Sequence, residues 1–507
     1  MIKIKHLIVV ALCAIMTPIV FTACKKDRNV NEEVFTPGPD VNFYALTADS
    51  KLHFINTKNS ATIISTFNIS GLQNGESLLG IDFRPATGQL YGLGSTSRLY
   101  VIDQKTGVAR SISSAPFSPA LTGTMAGFDF NPTVDRIRVV TNSGQNLRLN
   151  PETGTVAAAD GAINGVTNAK VSSVAYTQNK AGATTTVLFD IDAATDKLYK
   201  QDPPNDGKLV EVGSLGFDVD EMGGFDINPD GTAAIAALSV GGVSGLYTID
   251  TNSGKAAKVG NLPLNITGLA IPTETVAYAV SNNNELLIFN PLATTPAISV
   301  KNISGIQAGE SILGVDFRPL NGQLYALGSS SRIYTLNTSN GAATIVGTTP
   351  LSTLLAGTQF GFDFNPTVDR IRIVSNTGQN LRFNPLDGSV IPDGNLNPAS
   401  TGITGAAYTN NFAGATSTVL FDIDSNTDKL VRQDNPNLGT LVEIGALGIN
   451  VESNNGFDIG GTSGMAYGLF TVGGVQKIYN INLTTGVATA GATIANSARS
   501  FALGLGF

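Results

Sequence analysis

The sequence predicts an all-β protein, a β-propeller built from four-stranded blades, and three observations carry this prediction. First, a Gly-apolar-Asp-apolar pattern, often followed by Asn-Pro or Arg-Pro, recurs from Gly80 onward at spacings of 44 to 51 residues. Second, each interval holds four short runs rich in Val, Ile, Phe, Tyr and Thr, separated by Gly, Pro, Asn and Asp. Third, the chain that follows the N-terminal segment shows no helical period. Four strands repeated roughly every 40–50 residues are typical of propeller blades.

The unit that begins at Gly80 shows the four predicted strands. "LLGIDF" is an apolar strand, and "RPATG" is a turn with Pro and Gly at favoured positions. "QLYGLG" and "SRLYVID" are the second and third strands, and "VARSIS" follows the turn "QKTG" as the fourth. Ten units of this kind are predicted, and they start at Gly80, Gly127, Ser173, Gly224, Gly268, Gly314, Gly361, Gly405, Gly456 and Gly504.

The ten units fall into two copies of one longer repeat. "GIDFRPATGQLYGLGSTSRLY" at 80–100 returns as "GVDFRPLNGQLYALGSSSRIY" at 314–334, and "GFDFNPTVDRIR" occurs at both 127–138 and 361–372. We therefore predict repeat copy 1 over residues 41–271 and repeat copy 2 over residues 272–507, with five blades in each.

The two chain ends predict how the ring closes. The first unit begins at "NFYALT" (42–47) without an innermost strand, and the chain ends in "GLGF" (504–507), an innermost-strand pattern with nothing after it. Because an open sheet edge is unfavourable, the segment at Phe507 is expected to pair beside Tyr44. The junction "PTETVAY" (272–278) has the length of the predicted hairpin "PATGQLY" (85–91), which favours one ten-bladed ring. Two five-bladed propellers are the alternative.

The N-terminus predicts export and lipid attachment. Lys3 and Lys5 precede an apolar run that ends in "VFTAC", so residues 1–23 resemble a bacterial lipoprotein signal peptide and Cys24 would be the acylated first residue. An ordinary secretory signal with an incidental cysteine is the alternative. Residues 24–40 are polar and contain proline, as expected of a flexible tether. The expected location is the cell envelope, with the lipid in the outer membrane and the fold facing the periplasm or the exterior.

The composition excludes several classes of function. The formal net charge is −8 and no Lys/Arg cluster follows the N-terminal segment, so nucleic acid is not an expected partner. The mature chain keeps one histidine, His53, which excludes a multi-histidine metal site and disfavours a Ser-His-Asp triad. Acylation of Cys24 would leave no cysteine nucleophile.

Aspartates of the repeated pattern are the strongest candidates for a site. They recur at one place in six of the ten innermost strands, which line the channel of a propeller, so their carboxylates could surround a cation or a polar ligand. The favoured interpretation is structural, with each carboxylate accepting N–H bonds in the turn that follows it. These residues are Asp82, Asp129, Asp226, Asp316, Asp363 and Asp458.

Arginines accompany these aspartates. In "VDRIRVV", Arg136 and Arg138 leave the same face of a strand, and a covered arginine needs a carboxylate such as Asp129 or Asp135. Ion pairs that join neighbouring blades are the favoured interpretation, and an anionic ligand at the channel mouth is the alternative. The candidate ligand-binding residues are therefore Asp82, Arg84, Asp129, Arg136, Arg138, Asp316, Arg318, Asp363, Arg370 and Arg372.

One segment in each copy resembles a calcium loop. "FDIDAATDKLYKQD" (189–202) offers carboxylates at Asp190, Asp192 and Asp196. It lacks the central Gly and the bidentate Glu of an EF-hand, so a hairpin turn is the preferred interpretation. Calcium is the one cofactor that the sequence raises, and the identity of any metal stays open.

The long motifs resemble those of a bacterial family known as domain of unknown function 4394. They are the 80–100 and 127–138 stretches, "GQNLRLNP" (144–151) and "NKAGATTTVLFDIDAATDKLYKQDPPNDG" (179–207), each with a counterpart in the second copy. The resemblance covers nearly all of 41–507 and implies an exported or surface-attached protein. It implies no activity and no catalytic residue.

Two functions remain in view, and the sequence leaves open whether the chain is an enzyme. The first is a membrane-tethered, non-catalytic binding or scaffold module for a glycan or a protein. The alternative is a carboxylate-based hydrolase or lyase whose site lies at the channel, with two carboxylates of shifted pKa in one pocket.

Overall fold

Ten antiparallel sheets of four strands each form the fold, as the sequence predicted. The computed structural model describes residues 35, 37–347, 350–399, 402–495 and 497–507. The predicted signal peptide (1–23), Cys24 and most of the predicted tether (24–40) lie outside the described residues. Within those ranges helical structure is limited to two 3₁₀ helices, Thr57–Asn59 and Pro204–Asp206. No helix among the described residues has the length and apolar character needed to cross a membrane.

Copy 1 contributes twenty strands to five sheets. In spatial order these are sheet 1 (β20-β1-β2-β3), sheet 2 (β4 to β7), sheet 3 (β8 to β11), sheet 4 (β12 to β15) and sheet 5 (β16 to β19). The strands are β1 Asn42–Thr47, β2 Lys51–Asn56, β3 Ile63–Asn68, β4 Leu78–Arg84, β5 Gln89–Gly94, β6 Arg98–Ile102, β7 Ala109–Ser111, β8 Ala126–Asn131, β9 Arg136–Thr141, β10 Asn146–Asn150, β11 Thr155–Ala159, β12 Val171–Tyr176, β13 Leu188–Asp192, β14 Lys197–Gln201, β15 Leu209–Ser214, β16 Glu221–Ile227, β17 Ala234–Val240, β18 Val243–Ile249, β19 Ala256–Asn261 and β20 Ile266–Ala270.

Copy 2 repeats this arrangement. Its sheets are sheet 6 (β40-β21-β22-β23), sheet 7 (β24 to β27), sheet 8 (β28 to β31), sheet 9 (β32 to β35) and sheet 10 (β36 to β39). The strands are β21 Ala277–Ser281, β22 Glu285–Phe289, β23 Ser299–Asn302, β24 Ile312–Arg318, β25 Gln323–Gly328, β26 Arg332–Leu336, β27 Ala343–Ile345, β28 Phe360–Asn365, β29 Arg370–Ser375, β30 Asn380–Phe383, β31 Val390–Pro392, β32 Ile403–Tyr408, β33 Leu420–Asp424, β34 Lys429–Asn435, β35 Thr440–Ala446, β36 Gly456–Ile459, β37 Ala466–Val472, β38 Val475–Ile481, β39 Ala488–Thr493 and β40 Ala498–Leu503.

Burial follows the position of a strand within its sheet. Nearly every residue of β4 is buried, whereas β11, at the outer end of sheet 3, alternates between exposed and half-buried residues. The first strand is therefore covered on both faces and the last on one face. Neighbouring sheets supply this cover: Tyr44 and Leu52 of sheet 1 share a hydrophobic cluster with Phe83 and Leu90 of sheet 2.

The first strands of the sheets contact one another in two cycles of five. In copy 1 the cycle runs β4, β8, β12, β16, β20 and back to β4. In copy 2 it runs β24, β28, β32, β36, β40 and back to β24. We call these ten the inner strands.

Each copy supplies its own closing strand. Tyr44 of β1 pairs with Ala270 of β20, and Tyr278 of β21 pairs with Ala502 of β40. The predicted pairing of the Phe507 segment beside Tyr44 is therefore wrong. The predicted hairpin across the junction is wrong as well, because β20 and β21 belong to different sheets. The predicted innermost strand at 504–507 is wrong too: the strand that completes sheet 6 is β40, and residues 504–507 lie outside any strand. Sheet 1 is completed by β20.

Hydrogen bonds join the two copies directly. The Tyr278 hydroxyl donates to the carbonyl of Ala86 at 2.9 Å, and the Gly506 amide donates to the carbonyl of Thr87 at 2.8 Å. The Ser299 hydroxyl donates to the carbonyl of Gly182 at 2.9 Å. Two of these contacts place a loop of copy 1 against a strand of copy 2, and the Gly506 contact joins loops of both copies.

Candidate functional site

Six aspartates of the repeated pattern meet in two groups of three. In copy 1, one carboxylate oxygen from each of Asp82, Asp129 and Asp226 lies within 4.8 Å of the others. Asp316, Asp363 and Asp458 form the matching group in copy 2. All six are buried on inner strands. The sequence predicted that they line one central channel, whereas the structure divides them between the two cycles. We call the two groups the axial triads.

Main-chain N–H groups hold these carboxylates. Asp82 accepts from Phe83 at 2.7 Å and from Phe130, on the next inner strand, at 2.7 Å. Asp129 accepts from Tyr176, again on the next inner strand, at 3.0 Å. The expected bonds to the following turn are thus replaced largely by bonds to the neighbouring sheet. Each aspartate fastens two sheets together near the axis.

Burial raises the pKa of every axial carboxyl. The pKa of Asp226 rises to about 7 through burial, against hydrogen bonds from Ile271 and Ile227 that lower it. Burial and then the nearby Asp226 carboxyl raise the pKa of Asp82 well above its usual value. Three carboxyls so close together cannot all be charged without a counter-ion. Their oxygens are the type of ligand that a hard cation such as Ca²⁺ takes.

The arginines of the repeated motif are paired with carboxylates. Arg84 is fully buried and donates through Nε to Asp135 at 2.9 Å, through Nη2 to Glu152 at 3.2 Å, and through Nη1 to the carbonyl of Gly322 in copy 2 at 3.0 Å. Arg318 pairs with Asp369 in the same way. Each of these two ion pairs joins an inner strand to the turn that follows the next inner strand. This agrees with the prediction of ion pairs between neighbouring blades.

A second ion pair lies within sheet 3, and a hydrogen bond from the same arginine reaches sheet 4. Its carboxylate is Asp160, so the expected partners Asp129 and Asp135 are wrong for Arg138. Arg138 donates to Asp160 at 2.7 Å and to Asn205, from the neighbouring sheet, at 2.9 Å. Arg372 makes the equivalent bonds to Asp393 and Asn437. Arg136 and Arg370 bond the carbonyls of the residues that precede them, at the edge of the same turns. The structure therefore brings the aspartates together on the axis but carries the arginines away to the seams between sheets.

The segment that resembles a calcium loop is a turn. Asp192 accepts from Ala194 N at 2.9 Å, and Asp196 accepts from Val219 N at 2.8 Å. Both oxygens of Asp190 are buried without a hydrogen-bond partner, as are those of its counterpart Asp422. Among the described residues, the groups of carboxylates close enough to share an ion are the two axial triads.

Above the axial triad of copy 1 the inner strands enclose an open cavity. It measures about 250 Å³ and is lined by residues of all five inner strands, including Ile81, Phe128 and Gly268. We call it the axial funnel. The same place in copy 2 holds only about 10 Å³. There Ser500 accepts from Val315 N at 2.6 Å, and Asn455 donates to Thr404 at 2.8 Å.

The sequence contained a signal for this difference that motif matching passes over. Copy 1 has "MGGFDI" and "ITGLA" where copy 2 has "NNGFDI" and "ARSFA". Glycine leaves space where asparagine and serine bring side chains. A second cavity, of about 470 Å³, lies between the copies and includes Arg110, which the sequence analysis did not single out.

Comparison with known proteins identifies the repeat but no activity. No curated protein matches the chain. PorZ, described as an essential bacterial surface component of the type-IX secretion system of Porphyromonas gingivalis, is 14% identical, with 90% of this chain and 58% of that chain covered and a TM-score of 0.27. The extracellular domain of a hybrid two component system from B. thetaiotaomicron is 11% identical, with coverages of 90% and 66% and a TM-score of 0.26. This chain spans less than two thirds of the length of either.

A third solved structure is the dihydro-heme d1 dehydrogenase NirN, which is 11% identical, with coverages of 71% and 74% and a TM-score of 0.25. The family model described as "Domain of unknown function (DUF4394)" matches residues 51–270 and again residues 285–504. The chain belongs to this family and carries two copies of its domain.

Proposed function

We propose that the chain is a non-catalytic binding or scaffold module, made of two five-bladed β-propellers, that engages a glycan or a protein. A lipid on Cys24 would tether it to the outer membrane, with the propellers facing the periplasm or the exterior. The two cycles of inner strands support five blades in each ring. Each cycle completes its first sheet with its own last strand, which leaves no edge for a larger ring to close.

This architecture makes a prediction about halves of the protein. Fragments 37–271 and 272–507 each contain every strand of their own sheets, so each fragment should give a cooperative unfolding transition and a β-type circular dichroism spectrum. A single ring of ten blades would leave both halves with unpaired edges and aggregating. Two insoluble fragments would contradict the proposal of two rings.

The observation that carries the binding function is the axial funnel of copy 1. Ligands of propellers are bound most readily where residues of several blades converge, and this cavity is open in one copy and filled in the other. The two copies share their axial aspartates and paired arginines, so those side chains account for the common fold. The funnel is what distinguishes copy 1.

The test is to obstruct the funnel. Thr267 lines its mouth, and Thr267→Arg introduces the residue that copy 2 carries as Arg499. Thr248→Arg is the control, because it adds the same charge at a half-buried position of strand β18. Binding to a glycan array or to envelope proteins should be lost in the first variant and kept in the control. If Thr267→Arg still binds the same ligand, the axial funnel is not the binding site.

A carboxylate-based hydrolase or lyase is the second candidate, and one observation favours it: the raised pKa of the axial carboxyls, which is common at catalytic sites. Against it, each of Asp82 and Asp226 is buried and accepts two main-chain N–H bonds, which serve structure. This alternative would be established if the wild type hydrolysed or cleaved a glycan that it binds, and if Asp129→Asn abolished that turnover while still binding the glycan.

The lipid anchor has a separate test. In a bacterial host that acylates lipoproteins, the wild-type chain should incorporate labelled palmitate and fractionate with outer membranes. Cys24→Ala should abolish both. Palmitate labelling that persists in this variant would refute acylation at Cys24.

A further inference from the structure

A cleft between the two copies has the chemistry of a binding site, and it lies apart from the axial funnel. It measures about 470 Å³, within the range of pockets that hold small molecules. Strands β5 to β7 of copy 1 form one wall, and loops of copy 2 form the other. Much of the lining is apolar: Val108 is 47% exposed, Leu320 is 47% exposed and Phe412 is 40% exposed.

Arg110 supplies the cleft with a cation. Its side chain is half-buried, and its guanidinium lies so close over Gly414 that a β-carbon on Gly414 would meet Nη2. Within the described residues, the guanidinium of Arg110 makes no hydrogen bond or ion pair, unlike those of the buried arginines Arg84 and Arg138. Burial lowers the pKa of Arg110. Asp103 and Lys105 also line the cleft, but Asp103 accepts from the main chain of its own turn and forms no ion pair with Arg110. A guanidinium in a partly dry cleft, without a bonded carboxylate, is costly unless a ligand supplies the anion.

The counterpart region of copy 2 lacks these features. "VIDQKTGVARSIS" (101–113) corresponds to "TLNTSNGAATIVG" (335–347), so threonine at 344 replaces arginine at 110 and alanine at 342 replaces valine at 108. The rest of the blade is closely similar, and its strands have nearly the same bounds. Neither Arg110 nor Val108 is therefore needed to build a blade of this type.

We propose that this cleft binds a small organic acid that joins one carboxylate to an apolar ring or chain. The carboxylate would pair with Arg110, whose planar guanidinium suits a bidentate contact. The apolar part would lie against Val108, Leu320 and Phe412. A sugar with many hydroxyls fits less well, because apolar walls leave hydroxyl groups without partners. This site goes beyond the proposed function, which concerns the axial funnel.

Titration calorimetry with three matched probes tests the proposal on the full-length mature chain. Phenylbutyrate should bind saturably, with one probe per chain. Phenylbutanol and phenylbutylamine, which share its apolar body without the negative charge, should bind at least about tenfold more weakly, as expected for loss of a charge-assisted hydrogen bond. Equal binding of the three probes, no saturable binding of phenylbutyrate, or tighter binding of an oligouronate would overturn the proposal.

Two variants localise the site. Arg110→Thr, the residue of copy 2, should weaken phenylbutyrate at least about tenfold and leave phenylbutanol unchanged. Arg432→Gln removes the same charge from an exposed ion pair with Asp434 and should change neither. The comparison of three probes on the wild type holds even where Arg110→Thr folds poorly. Obstruction of the axial funnel by Thr267→Arg should leave phenylbutyrate binding intact, so the two proposals can fail separately.

Discussion

The ion pair between Arg84 and Asp135 should be among the most sensitive points of the fold. The side chain of Arg84 is 0% exposed and that of Asp135 is 8% exposed. The matching pair in copy 2 is wetter, with Arg318 at 8% and Asp369 at 25%. The two pairs therefore differ in their access to water, and Arg84 also has a second carboxylate, Glu152, whose place in copy 2 is taken by Leu386. The substitutions Asp135→Asn and Asp369→Asn convert this difference into a measurement.

The backbone does not complicate the comparison. Asp135 and Asp369 have φ values of 50° and 52°, in the left-handed region, which asparagine tolerates as aspartate does. Each substitution therefore removes one negative charge and little else.

The expected cost follows from what each arginine keeps. Breaking a buried ion pair by removing one partner costs about 3–5 kcal/mol, because the remaining charge is uncompensated. Arg84 still has Glu152 at 3.2 Å and a carbonyl from copy 2, so Asp135→Asn should cost about 3 kcal/mol, the lower end. Water reaches the Arg318 pair, so Asp369→Asn should cost about 1 kcal/mol.

Urea denaturation at neutral pH measures both values. The chain has 12 tyrosines and no tryptophan, so tyrosine fluorescence and far-UV circular dichroism are the two probes. Coincident transitions by both probes, with an unchanged slope against urea, would justify reading the shift of the midpoint as a free-energy difference. Equal costs for the two variants, or a larger cost for Asp369→Asn, would refute the argument that burial decides the strength of these pairs.

Two further predictions concern other buried polar groups. Burial raises the pKa of Asp422 to about 8, above its unfolded value of 3.8, so its contribution to stability is full at low pH and is lost as the pH rises through this window. The free energy of unfolding of Asp422→Asn, relative to that of the wild type, should therefore increase by up to about 1.4 kcal/mol per pH unit from about pH 4 to pH 8. Equal differences in urea midpoint between the two proteins at pH 5 and pH 8 would contradict this. Tyr278→Phe should cost about 1 kcal/mol, because its buried hydroxyl donates to Ala86 of the other copy. Tyr44→Phe, the counterpart in copy 1, is the control and should cost less, and equal costs in thermal denaturation would count against the bond.

The sequence predicted the local structure of each unit well. In the unit that begins at Gly80 the four predicted strands correspond to β4, β5, β6 and β7. The reason is that burial differs across the sheet: apolar runs become covered first strands, and alternating runs become last strands with one wet face. Turn residues then mark the ends, as Asp135 does between β8 and β9 with its positive φ.

Interactions between sheets were harder to predict. The aspartates were expected to bond their own turns, yet Asp82 bonds Phe130, a residue 48 positions away on the next inner strand. Asp is common both in turns and in such cross-links, so residue type cannot separate them. The prediction of ring closure failed for a similar reason, since β20 and β40 occupy matching places in the two copies, as do their partners β1 and β21. The local pattern therefore does not decide which of the two strands pairs with β1.

The duplication helps to separate residues of structure from residues of function. An unpaired buried charge would destabilise either copy, so Arg84 and Arg318 each keep a carboxylate partner. Residues that line a cavity or a cleft meet no such constraint, because a change there leaves packing elsewhere intact. Two places where the copies differ in chemistry and space are the axial funnel and the cleft beside Arg110. An arginine without an ion pair and an open axial cavity both lower the stability of the fold, and neither is needed to build the sheets. Ligand binding, as proposed above, would offset that loss of stability.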